Sequence, residues 1–209
     1  MLISPEQFAG FLAAALLITL SPGPDNLMVL GMGMSRGRKQ GMVFGLGCAL
    51  GCLSHTILAT LGVSALIAAS PTAFTALKIV GGLYLIWLGI GALRSRGGAR
   101  VDGRAIPDES LLRLFGKGMF ANAINPKVVL FFLSFLPQFV IAARGDASWQ
   151  TAQLGLIFTL QACILFGLLG YFSGAVGKWI NRTPRAALWL DRVAGAVFVG
   201  LGLRLIIAR

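Results

Sequence analysis

Asp25 and Lys127 each place a formal charge near the middle of a long apolar run, and each sits beside helix-breaking residues. The two stretches read Ser21-Pro22-Gly23-Pro24-Asp25-Asn26 and Asn122-Ala123-Ile124-Asn125-Pro126-Lys127. An ionised side chain at the centre of a membrane helix costs about 2.5–3.5 kcal/mol on insertion scales, so neither charge should face lipid alone. The two are expected to pair or to share one polar cavity. In the cavity reading, Asp25 meets an ammonium and Lys127 a carboxylate, so together they suit a small zwitterion. Breaks at Pro22, Gly23, Pro24 and Pro126 would free backbone N–H and C=O groups that complement the same charges. Asn26, Asn122 and Asn125 bring further hydrogen-bonding groups, either as ligand contacts or as caps of half-helices. The competing reading is an internal ion pair that locks the two runs together, or a Lys127 that snorkels along its own stem.

A few other residue types could do chemistry. Asp25 could carry a transported proton, and His55, the single histidine, is the second candidate for proton coupling. Cys48 and Cys52 precede His55 on the same helical face, where two thiols and an imidazole could ligate a soft metal. Membrane cysteines also serve as small apolar fillers, and no metal site is assigned. No His-Glu zinc motif, serine elbow or phosphate loop occurs, so neither an enzyme nor a bound cofactor is expected.

The elements that must position these residues are membrane helices. The chain of 209 residues is 56% hydrophobic and only 12% charged, against roughly 25% charged in soluble domains. Apolar runs cover approximately residues 6–34, 41–66, 71–93, 111–143, 149–171 and 187–207. The first and fourth are overlong: roughly 29 and 33 residues would give about 43 and 50 Å of helix against a core of about 30 Å. Both are therefore expected to be broken, at the prolines already named. The opening segment Met1 to Gln7 carries Glu6 and no Lys or Arg, unlike a cleaved secretory signal, so the first run is expected to be retained.

The net charge of +11 is topological information and not a nucleic-acid footprint, because the basic residues fall mainly between runs. Arg36, Arg38 and Lys39 follow the first run; Arg94, Arg96, Arg100, Arg104, Arg113 and Lys117 lie in or beside the third link. Lys178, Arg182 and Arg185 mark the fifth link, whereas the second and fourth hold almost no charge. Positive-inside counting puts both termini outside. The expected fold is all-α and polytopic: six transmembrane helices as two inverted three-helix repeats, with helices 1 and 4 broken. Residues 1–93 form the first repeat, 94–110 a cytoplasmic linker and 111–209 the second repeat. Inverted repeats with discontinuous helices meeting near the midplane point to secondary transporters. Glycines at 41, 45, 47 and 51, and at 81, 82, 89 and 91, are expected to let helices cross closely.

Several segments resemble the LysE/RhtB family of amino-acid exporters. Pro22-Gly23-Pro24, then Gly37-Arg38-Lys39-Gln40-Gly41, Gly45-Leu46-Gly47 and Gly51, is similar to that family's N-terminal signature. Gly81-Gly82-Leu83-Tyr84-Leu85-Ile86-Trp87-Leu88-Gly89 resembles its third-span motif. Phe120-Ala121-Asn122-Ala123-Ile124-Asn125-Pro126-Lys127, followed by Leu136-Pro137-Gln138-Phe139, resembles its fourth-span motif. The resemblance implies a multi-pass protein of the bacterial inner (cytoplasmic) membrane that exports amino acids by proton-coupled antiport. Substrates in such a family range from basic amino acids to threonine, homoserine, leucine and cysteine, and these motifs do not choose among them. The expected partners are an amino acid, protons and the lipid bilayer, with no nucleic acid, and a homodimer is the assembly to look for. The alternative is a carrier of soft metals or other small solutes, or a small-solute channel.

Overall fold

Serine and proline punctuate the chain where its helices begin. The computed structural model describes residues 3–63, 70–95 and 109–207, and these are overwhelmingly helical. At the start of α1 (Pro5–Leu20), the Ser4 hydroxyl accepts from the Gln7 amide while the Gln7 side chain accepts from the Ser4 amide. This reciprocal cap satisfies two donors that a helix start leaves open. Ser70 caps α4 (Pro71–Leu93) and Ser110 caps α5 (Leu111–Ala123) in the simpler one-bond form. Proline occupies the first turn of α1, α2 (Pro24–Arg36), α4 and α6 (Pro126–Leu130), where its missing N–H costs nothing.

The first and fourth apolar runs are broken as expected. α1 and α2 meet at 55°, and α5 meets the Pro126–Phe139 segment at 51°. Beyond α6 that segment continues as a π turn, Phe131–Phe135, and a short 3-10 turn, Leu136–Phe139. α1 spans 16 residues, about 24 Å, and so crosses only together with α2. Three helical stretches are long and apolar enough to cross unbroken: Arg38–Gly62, Thr75–Leu93 and Ala147–Tyr171. With the bent pairs counted as spans, the described residues supply five.

The sixth expected span is not among these five. α9 (Pro184–Ile207) has 24 residues and the necessary length, but Asp191, Arg192 and Arg204 interrupt its apolar surface. A second difference lies before it: residues Ser173–Arg182, expected to be a plain basic connection, form the helix α8. Most of the expected 94–110 linker, and part of the second link, lies outside the described residues.

Close glycine contacts set the packing. α3 (Arg38–Leu58) is the central helix, in contact with α2, α5 and α7 (Ala147–Tyr171). A Cβ on Gly47 would overlap the Phe115 carbonyl, and one on Gly118 would overlap the Phe44 carbonyl, so α3 and α5 cross backbone to backbone. α4 and α9 do the same: Gly82 opposes Gly202 and Gly89 opposes Gly195. Without a hydrophobic driving force between helices in lipid, this intimacy supplies the van der Waals contact that holds them. Gly91, by contrast, faces open space. Gly37, at φ 100°, makes the reversal from α2 to α3 that a residue with a side chain would resist.

The aromatic core fills the angle behind the second break. Phe131 and Phe132 pack on Phe158 at ring separations of 5.2 and 4.9 Å, and Phe11 lies 6.1 Å from Phe131. At the far end of α1, the Gln7 amide donates to Gln150 at 3.0 Å and also to the Phe139 carbonyl. Gln150, fully buried, closes a two-way bond with Ile141 at 3.0 Å in each direction. These bonds tie α1, α7 and the end of the fourth run together, leaving the two breaks as the points where the core is interrupted.

Candidate functional site

The two breaks converge. Asp25 occupies the first turn of α2, where the amides of the helix start favour an anion. It is 3% exposed, and its Oδ2 accepts from Asn122 Nδ2 at 2.7 Å. Its Oδ1 is buried without a hydrogen-bond donor. Lys127, 7% exposed, donates through its ammonium to the Ser21 carbonyl at 2.8 Å and lies 5.3 Å from the centre of the Phe198 ring. Cations are favoured at a helix C-terminus, which is where Ser21 stands relative to α1. Gly23 makes room for this reach, since a Cβ there would come within 3.1 Å of the Lys127 nitrogen.

Asp25 and Lys127 do not pair directly. The ion pairs among the described residues are Arg36–Glu109 and Lys117–Glu109, both remote from the breaks. The internal ion pair left open by the sequence is therefore not how these charges are held. Nor does Lys127 snorkel to the surface, because its ammonium is buried.

Both residues line one small cavity together with Thr19, Asn26, Asn122 and Asn125. It offers about 20 Å³ to the centre of a water molecule, room for one water and far too little for an amino acid. The expectation of an amino-acid-sized site is thus not met in this conformation. The reason is visible in the contacts: Asp25 and Asn122 bond each other's side chains, while Lys127, Asn26 and Asn125 bond nearby backbone groups.

The three asparagines divide by role. Asn125 caps α6, accepting from the Lys127 amide at 3.1 Å, and Asn26 donates to the Thr19 carbonyl at 2.9 Å at the end of α1. Both shape the breaks. Asn122, fully buried, is the hub: its amide holds Asp25, its side-chain oxygen accepts from the Cys52 thiol at 3.4 Å, and its carbonyl meets His55 Nε2 at 3.1 Å. Since that carbonyl can only accept, the bonded imidazole nitrogen carries the hydrogen. Cys52 and His55 therefore converge on Asn122 and not on a common metal position. Among the described residues no three His, Cys, Asp or Glu side chains gather in a metal-binding group.

Sequence reasoning missed two participants. Phe198 comes from the last apolar run, where nothing marks one phenylalanine among many as the face beneath a lysine. Ser21 contributes through its carbonyl, which residue type does not report. Gln161 adds a polar link, donating to Thr19 Oγ1 at 2.9 Å, with its own side-chain oxygen buried and unsatisfied.

Comparison with known proteins covers nearly the whole chain. Residues 16–209 match the family described as LysE type translocator. The chain is 33% identical to the threonine efflux protein of Escherichia coli strain K12 over 198 residues, covering 91% of this chain and 92% of that protein. It is 33% identical to the leucine efflux protein of Enterobacter sp. strain 638 over 205 residues, covering 95% and 94%. An uncharacterized membrane protein of Vibrio cholerae is 31% identical, with 95% and 96% covered. No solved structure matches the chain.

Proposed function

Because the chain belongs to the LysE family of translocators, we propose that it exports an amino acid across the inner membrane in exchange for protons, using the cavity between its two helix breaks. Family membership and the apolar spanning helices make it a multi-pass inner-membrane transporter of small solutes, not an enzyme. The similarity to proteins named for threonine and leucine efflux supports an amino acid as the solute.

The observation that carries the reading is the state of the two charges. A buried carboxylate with one oxygen lacking a donor and a buried ammonium that bonds a carbonyl and faces a ring are not joined in a direct ion pair. An α-ammonium would complete Asp25, and an α-carboxylate would draw Lys127 away from Ser21. In this reading the substrate replaces the bonds that each break now makes to the other, so binding and opening are one event. Asn122 passes from Asp25 to the ligand, with Asn26 and Asn125 holding the half-helix ends.

Asp25 is also the coupling site. Protonated, it would release its claim on an ammonium; ionised, it would bind one, which makes proton and substrate exclusive occupants of one group. His55 contributes by fixing Asn122 against that carboxylate. The halves 1–93 and 111–209 then act as inverted repeats, each opening with a bent span whose second half starts Pro-Asp or Pro-Lys. Both termini lie outside, and a homodimer is the working assembly.

The test is countertransport into vesicles loaded with a mixed amino-acid panel, under an imposed proton gradient. Wild type should exchange one or a few neutral or basic amino acids and lose accumulation with a protonophore. Asp25→Asn should abolish gradient-driven export, and Lys127→Met should abolish binding as well as export. Normal transport by both folded variants overturns the site; saturable flux indifferent to the protonophore overturns the coupling.

A further inference from the structure

A second, larger depression lies outside the site, between α2 and α5. It measures about 880 Å³ and has Phe44 of α3 as its floor. Met28 and Met32 form one wall; Phe120 and Ile124 form the other. Phe120 is 67% exposed, Ile124 63% and Met28 43%, so the groove opens outward to the bilayer and not inward to the cavity. Arg113 and Lys117 stand at the end remote from the breaks.

Its length is informative. From Arg113 to Ile124 the α5 wall runs about 16 Å, close to half of the roughly 30 Å hydrocarbon core. The groove is therefore one leaflet deep: apolar where acyl chain lies, basic where headgroups lie. Among the described residues the charges there do not balance. Glu109 accepts from both Arg36, at 3.3 Å, and Lys117, at 2.6 Å, while Arg113 has no ion-pair partner among the described residues. Among the described residues three cations face one carboxylate.

We propose that this groove binds the acyl chain of an anionic phospholipid, with Arg113 and Lys117 holding its phosphate. Basic pockets between membrane helices recognise anionic headgroups through this combination of charge and apolar depth. A second copy of the chain is the poorer occupant, because a two-fold contact here would press Arg113 and Lys117 of each copy toward their own counterparts. A zwitterionic amino acid is poorer still, since beyond the basic end the polar side chain lining the groove is Ser35, whose hydroxyl donates to the Gly31 carbonyl of its own helix at 2.7 Å. The proposal is independent of which solute is carried.

Gly116 lies in the groove, and a Cβ added there meets nothing within 4 Å, so a larger side chain can fill the space without moving backbone. The experiment is native mass spectrometry of the protein equilibrated in micelles containing equal phosphatidylglycerol and phosphatidylethanolamine with matched chains. Wild type should retain phosphatidylglycerol preferentially. Arg113→Gln should cut that preference about fivefold, the usual weight of one basic residue near an anionic surface. Gly116→Leu, which leaves every charge in place, should lower retention of both lipids. Equal retention of the two lipids by wild type overturns the proposal, as does unchanged retention in Gly116→Leu. A dimer that Gly116→Leu dissociates with lipid content unaltered would give the face to a second copy and overturn it equally.

Discussion

Asp25 and Lys127 each follow the proline that opens the second half of a bent span, and each reaches across to the other span's break. Asp25 takes a hydrogen bond from Asn122, four residues before Lys127's own helix start at Pro126; Lys127 gives one to Ser21, three residues before Pro24. The clasp is reciprocal but never joins charge to charge. A direct buried ion pair would bind its partners to each other, and removing either would strand the other charge. Holding each charge by a neutral group of the opposite break keeps both breaks together while leaving the charges available to a third party.

This arrangement separates stability from transport. Asp25→Asn removes a buried charge and keeps a side chain of the same shape able to bond Asn122, so thermal unfolding in detergent should be at or above the wild-type temperature. Asn122→Ala leaves the carboxylate with no donor on either oxygen and should cost about 1.5–3 kcal/mol, the range for a hydrogen bond to a charged group. In the double variant the loss should largely disappear, since no charge is left to strand. Additive losses in that cycle would show that Asn122 supports the fold without acting on Asp25.

How much of this was legible follows from what each residue type announces. Prolines inside apolar runs announce breaks, so the bends at residues 21–23 and 124–125 could be placed from sequence, as could the charges beside them. Their partners could not. Asn122 was visible as a polar residue in an apolar run, but its choice of Asp25, Cys52 and His55 depends on how α3 crosses α5, a three-dimensional fact. The cysteines and histidine share a helical face and so suggested a common ligand; the structure gives them a common neighbour. Gln150 escaped notice because it sits near the start of α7, where a glutamine is ordinarily solvated, although it is fully buried here. α8 was missed for the opposite reason: its Lys178 and Arg182 read as a basic link, and a short helix with a polar face carries the same charges.

The glycine crossings give a prediction with an internal control. Gly118→Val would drive a branched side chain into the Phe44 carbonyl, and backbone cannot yield as a side-chain tip does. The cost should reach or exceed the 1–3 kcal/mol typical of overpacking, about enough to shift much of the protein out of the monodisperse fraction in size-exclusion chromatography. Gly91→Ala should be neutral or slightly stabilising, by up to about 0.5–1 kcal/mol, because its added methyl meets nothing and a helical glycine is entropically costly. Equal damage from both would show that close approach does not distinguish these positions, since helix propensity favours both replacements over glycine.

The Glu109 cluster makes a pH-dependent link between the ends of α2 and α5. The Lys117 ammonium, bonded at 2.6 Å, together with Arg36, holds the Glu109 carboxyl below its ordinary value of 4.5. A carboxyl whose folded pKa is depressed binds fewer protons than its unfolded counterpart, so its stabilisation is fully present above that ordinary value and is lost as pH falls through the lower, folded one. Glu109→Gln should therefore unfold at a lower temperature than wild type at neutral pH, with the gap closing below about pH 4, under the ordinary carboxylate range. Raising salt should shrink only part of the gap, because the Arg36 side chain is 5% exposed and screened little, whereas the Lys117 side chain is 53% exposed. A difference between the two proteins that persists unchanged at acid pH would assign the effect to side-chain packing and not to the ionised carboxylate.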